Sequence, residues 1–229
     1  LTGAGYTSLR FNTTGNYNTA IGDAALYSNT TASHNTAVGY QSLYTVATSS
    51  ENTALGYQAG YNATNVEATY VGFRAGYGVT SAASGTAVGR LALGGNSAGV
   101  TGAENVAVGN AAMYVVTSGT DNVAVGALSL FDNTTGSYNT ALGSDALGNT
   151  TTGIDNTAVG YQAGYSNTTN SYNTYLGDHA GYNTTGWKNT FLGHASGENV
   201  TTGGSNTILG RFSGNAGGLD IRTSSNNIV

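Results

Sequence analysis

The chain has 229 residues, of which only 7% are charged, a net charge of −5, and neither cysteine nor proline. The scattered charge and the lack of a basic patch speak against nucleic-acid binding, and without cysteine there is no disulfide framework and no thiolate metal site. No apolar run approaches the ~18 residues that suggest a membrane-spanning helix, so solubility must come from Asn, Thr, Ser and Gly.

The first predicted element sets the pattern for the rest. A worn copy of Asn-Thr-Ala-aliphatic-Gly ends at Gly5. Clear copies and close variants follow, ending at Gly22, Gly39, Gly56, Gly72, Gly89, Gly109, Gly126, Gly143, Gly160, Gly177, Gly193 and Gly210. A last start, Asn226-Asn227-Ile228-Val229, stops before its glycine. Successive glycines lie 17 residues apart in most cases, 16 at Gly56→Gly72 and Gly177→Gly193, and 20 at Gly89→Gly109. A fixed short period signals stacked coils that touch mainly their neighbours. Residues 1–229 therefore read as a single repeat shaft of about 13 coils, expected to be a segment of a longer protein because it begins and ends inside repeats.

Within each repeat, counted from its glycine as zero, position −1 is aliphatic, −3 is Thr or Val, and −4 is mostly Asn. This composition favours a pleated backbone and predicts a short strand closed by a glycine bend. Position +3 is always small, +4 is apolar or Gly, and +5 is often aromatic, as in Tyr27, Tyr44, Tyr114 and Phe131. That stretch predicts a second strand or extended arm, followed by a polar turn such as Asn133-Thr134-Thr135-Gly136. The fold class expected is all-β, a parallel β-solenoid or β-roll of about 17-residue coils. In-register stacking would place −1 over −1 in an aliphatic ladder and line up the Asn residues as an amide ladder.

Position −2 is Ala except for Tyr70, Tyr175, Phe191 and Ile208, and those four coils carry Gly76, Gly181, Gly197 and Gly214 at +4. The two positions therefore share a compartment of limited volume. With −1 assigned to the interior, strand alternation turns −2 outward. An outward apolar column, Ala20, Ala37, Ala54, Tyr70, Ala87, Ala107, Ala124, Ala141, Ala158, Tyr175, Phe191 and Ile208, is then the expected interface of a parallel homo-oligomer.

Runs such as Asn156-Thr-Ala-Val-Gly-Tyr-Gln-Ala-Gly-Tyr, with Asn-Thr-Thr-Gly spacers, resemble the repeat shafts of bacteriophage tail-fibre proteins. The closing stretch Leu219–Val229 resembles the passage of such shafts toward a C-terminal intramolecular chaperone. Thr-Ala-Val-Gly is also similar to the repeat of trimeric autotransporter adhesin heads, although the period here is longer and Thr usually replaces Val at −3. The resemblance implies a homotrimeric β-roll in an extracellular appendage or virion, with host-surface glycans as partners.

Eight Asn-X-Ser/Thr sequons, at Asn12, Asn29, Asn62, Asn133, Asn149, Asn167, Asn183 and Asn199, fall at +6 or +7 and are expected to form one exposed column of candidate glycosylation sites. The same residues are also good turn formers. His34, His179 and His194 share no repeat position, and no carboxylate pair or ligand spacing recurs, so no catalytic residue, metal or cofactor is expected. The Tyr columns at +5 and +1 could stack on sugars or cover a thin core. The Thr column at −3 could order water, but the assigned parity points its hydroxyls inward. The function expected is a structural shaft that projects a recognition domain. The alternatives are a glycosylated filament or adhesin stalk, and an ice- or polysaccharide-binding module.

Overall fold

The computed structural model describes residues 1–64, 67–81, 84–94, 99–215 and 220–229. It contains thirteen three-residue strands, from β1 (Thr2–Ala4) and β2 (Thr19–Ile21) to β13 (Thr207–Leu209). All thirteen form one sheet in sequence order. Pairing is parallel and in register, for example Thr140↔Thr157, Ala141↔Ala158 and Leu142↔Val159. The chain is thus an all-β parallel solenoid of about twelve coils with some 17 residues per turn. Thirteen strands bound twelve full turns, one fewer than the repeat count suggests. The extra residues between Gly89 and Gly109 run through 95–98, which lie outside the described residues, as do 216–219 near the closing stretch.

No second strand forms among the described residues. The stretch after each glycine coils tightly by alternating the sign of φ. In one coil Gly143 has φ 141°, Asp145 56°, Leu147 50° and, before the next strand, Asp155 54°. The backbone still bonds from coil to coil: Asp145 N–H donates to Ala127 O at 2.9 Å and Leu147 N–H to Ala163 O at 3.0 Å. A left-handed conformation costs an L-residue about 1–2 kcal/mol, and the solenoid repeats it in nearly every coil. At the exposed −5 positions Glu51 (φ 67°) and Glu104 (φ 58°), glycine should remove that cost. Offset by glycine's greater unfolded-state entropy, Glu51→Gly and Glu104→Gly should each stabilise by roughly 0.5–1 kcal/mol. Calorimetry checks this, and a lowered melting temperature in both variants would refute it.

The strand parity expected from sequence is inverted. Ala20, Ala37, Ala54, Tyr70, Ala87, Ala107, Ala124, Ala141, Ala158, Tyr175, Phe191 and Ile208 are all fully buried within the single chain. The −2 column is therefore interior and presents no outward face. The −1 residues lie outside instead: Ile21, Leu55, Leu142 and Leu176 are exposed and Val38, Val125 and Val159 half-buried. The reason is volume. With no second sheet, the interior is thin and already holds Leu or Met at +4 and Val, Asn or Thr at +7. Beside those side chains the strand has room only for Ala, unless +4 is Gly.

The shared compartment at −2 and +4 is real, and it spans two coils. A Cβ on Gly76, in the coil of Tyr70, would lie 2.2 Å from the Tyr70 ring, and one on Gly60, a coil earlier, 2.6 Å from it. Tyr175 likewise fills the space at Gly164 and Gly181, 2.4 Å in each case, and Phe191 that at Gly197. This accounts for Gly60 and Gly164, whose own coils carry only Ala at −2.

The predicted amide ladder forms in the interior. Asn139 Oδ1 accepts from the backbone N–H of Asn156 and from its Nδ2, both at 3.0 Å, while Asn139 Nδ2 donates to Asn122 Oδ1 at 3.1 Å and Gly153 O at 2.8 Å. The ladder meets the hydrogen-bonding needs of buried backbone that the sheet leaves free. It is broken where Ala68 and Gly85 replace Asn.

Candidate functional site

The outer face of the sheet carries two parallel columns. Position −1 gives a line of Val, Leu and Ile, and −3 a line of Thr with Val106 and Val123. Neither column contains a charge. The charges stand on the flanks, at −5 (Glu51, Glu67, Glu104, Asp121, Asp155, Lys188) and at +1 (Asp23, Arg90, Asp178, Arg211). With strands about 4.8 Å apart, the stripe runs roughly 60 Å. Its Thr hydroxyls point outward beside the aliphatics, opposite to the inward orientation expected from sequence. One signal in the sequence could have shown the correct face. The −2 size changes are compensated at +4, as in a packed interior, whereas the changes among Val, Leu and Ile at −1 are compensated nowhere.

The aromatic columns form stacks over runs of neighbouring coils. At +5, ring centroids are 4.9 Å apart for Tyr27–Tyr44, 5.0 Å for Tyr44–Tyr61 and 5.3 Å for Tyr61–Tyr77. At +1, Tyr40, Tyr57 and Phe73 stack at 5.3 Å. Beside them at +2 runs a polar column: Gln58 Nε2 donates to Gln41 Oε1 and Arg74 Nε to Gln58 Oε1, each at 2.8 Å. His179 continues this column by pairing with Gln162 Oε1 at 3.1 Å, and its other ring nitrogen meets Asp178. His34 stacks on Tyr17. Among the described residues no three His, Cys, Asp or Glu side chains gather to hold a metal.

The sequons do not form one exposed column. Asn29, Asn133 and Asn167, at +7, are fully buried, and Asn12 at the same register is half-buried with its Oδ1 accepting from Asn29 Nδ2. Asn62, Asn149, Asn183 and Asn199, at +6, are partly exposed. The difference is the turn of one residue, which swings +7 into the core and leaves +6 at the edge. The burial of Asn29, Asn133 and Asn167 leaves no room for a glycan on those three in the folded coil.

Among the described residues the buried phenols of Tyr70 and Tyr175 have no hydrogen-bond partner. Burial pushes both well above the ordinary value of 10.0, although the Thr184 hydroxyl beside Tyr175 opposes the shift slightly. Both rings act as volume, and their hydroxyls as a cost of using Tyr where Phe191 serves elsewhere. No family model, curated protein or solved structure matches this chain.

Proposed function

We propose that the chain is the shaft of a fibrous extracellular or virion appendage such as a phage tail fibre, and that it assembles as a parallel homo-oligomer, a homotrimer by resemblance. The observation that carries this reading is the outer stripe: a long uncharged column of aliphatics flanked by charges is the pattern of an interaction surface. A copy packed about an axis parallel to the rod meets the same residue at every height, so one repeated contact extends along the whole length. The interface thus belongs to the −1 and −3 columns and not to −2. The role is mechanical, with no reaction and no cofactor, and any contact with host glycans is secondary.

The test separates assembly from folding. Leu142→Glu with Val159→Glu places charges on the exposed face, where they cost the single chain little. Light scattering should show an oligomer for the wild type and a smaller species for the double variant, with the same β-sheet circular dichroism. A monomeric wild type overturns the reading. A second reading is favoured by the outward Thr hydroxyls, which stand in register beside aliphatics on a ladder of fixed spacing and could order water as an ice-binding surface. It requires that face to be free. A monomeric wild type that also depresses freezing, and loses this on Thr157→Glu, selects it. The uneven Val, Leu and Ile sizes at −1 favour a protein contact over a lattice match.

A further inference from the structure

The +5 aromatic stack is interrupted at Gly148, which stands between Phe131 and Tyr165 where the flanking coils place a ring. Filled neighbours set the geometry: Tyr114–Phe131 and Tyr165–Tyr182 are each 5.3 Å apart and within 7° of parallel. Gly148 leaves that place without a ring, between Phe131 and Tyr165. A pocket of about 310 Å³ opens there, lined by Leu128, Phe131, Asp132, Asp145, Asn149 and Tyr165. No Lys or Arg lines it, and neither Asp is in an ion pair among the described residues. Asp145 accepts only a 3.3 Å hydrogen bond from the Ser144 hydroxyl.

Two aromatic residues and two acidic residues without a cationic partner, gathered at one pocket, specify one ligand chemistry. We propose that this pocket binds a planar organic cation of the guanidinium type, held against Phe131 and Tyr165 and neutralised by Asp132 and Asp145. A cation held against either ring gains the cation–π attraction that acts within roughly 6 Å of a ring centroid. A guanidinium is flat and offers its in-plane N–H groups to carboxylates at the edge. The chain already makes this kind of contact: the Arg74 guanidinium lies 4.9 Å from the Tyr77 centroid and 5.5 Å from that of Phe73. This inference is independent of the shaft reading.

Agmatine is a suitable probe, followed by calorimetric titration and ligand-observed NMR on the intact chain. One agmatine should bind per chain, more weakly as salt rises. Gly148→Tyr should abolish binding by completing the stack. Gly148 is not in the left-handed region, but a Cβ there would lie 3.2 Å from Asp145 O and 3.3 Å from the Tyr165 ring, so that ring must give by a few tenths of an ångström; circular dichroism should still show the wild-type β-sheet, which separates loss of the site from loss of the fold. Asp145→Asn should weaken binding roughly fivefold, as expected for one partly exposed charge pair. The proposal fails if agmatine does not bind, if it binds Gly148→Tyr equally well, or if neutral methyl β-glucopyranoside binds the pocket more tightly than agmatine.

Discussion

Gly143→Ala is expected to destabilise the shaft by about 3 kcal/mol or more. Gly143 ends its strand at φ 141°, a region essentially closed to residues with a Cβ. A Cβ added there would lie 2.4 Å from Gly160 O in the next coil, and that oxygen belongs to backbone held in the ladder. Neither strain can relax without moving a coil. The same closeness recurs along the column, with Gly109 facing Gly126 O and Gly126 facing Gly143 O, each at 2.4 Å. Gly210→Ala is the control. Gly210 has φ 103° but nothing within 4 Å of its added Cβ, so it carries the dihedral cost alone, about 1–2 kcal/mol. Because coils couple only to their neighbours, Gly143→Ala should also split thermal unfolding into two transitions. If the two variants melt alike, the backbone collision is not what makes this glycine necessary.

Much of this fold is legible in the sequence because each repeat is an independent statement of the same constraint. The period gives the coil, the −4 Asn residues give the amide ladder, and the glycine gives the bend. The face of the strand was not legible by the usual rule. A strand reading Thr-Ala-Val assigns Val inward and Ala outward whenever burial is judged by residue hydrophobicity. Here a thin interior, crowded by Leu147, Met113 or Val116 from the turn, reverses the assignment. The second strand was misread for a related reason. Leu26, Leu43 and Leu130 look like strand residues but sit at φ of 47–49°, a left-handed conformation that costs a residue branched at Cγ less than one branched at Cβ. The sequons misled because Asn at +6 and Asn at +7 look alike in sequence but point to opposite sides of the wall. The pocket at Gly148 shows in the sequence as a gap in the aromatic column, but Asp132 and Asp145 come to one pocket only once the coils are stacked.

The two-coil compartment predicts a compensated swap. Tyr70→Ala alone empties a ring-sized space and should cost about 3–5 kcal/mol. Gly60→Leu with Gly76→Leu alone should also destabilise, because the added Cβ atoms would lie 2.6 Å and 2.2 Å from the Tyr70 ring. Combined, the three substitutions give these coils the interior of their neighbours, Ala at −2 and Leu at +4, as in Ala87 with Leu93 and Ala141 with Leu147. The left-handed φ of 61° at Gly60 and 63° at Gly76 is close to the 55° that Leu93 adopts, so backbone strain is no greater than the chain already bears. The triple variant also removes the unpartnered Tyr70 hydroxyl. A Cβ at position 60 would still lie 2.8 Å from Leu43 Cδ2, the movable end of a side chain, so the triple variant should recover most of the loss of either partial change, a coupling far beyond additivity. The pH dependence should change as well. Burial raises the Tyr70 phenol above its ordinary value of 10.0, so the folded chain holds that proton longer than the unfolded one. The resulting stability is complete below pH 10 and falls as pH rises beyond it, with Tyr175 contributing in the same way. The triple variant should lose less stability in alkali than the wild type, by the share due to Tyr70. Denaturant titrations of the single, double and triple variants at neutral and alkaline pH measure both effects. Additive losses in the triple variant would show that Tyr70 and the two glycines do not occupy one volume.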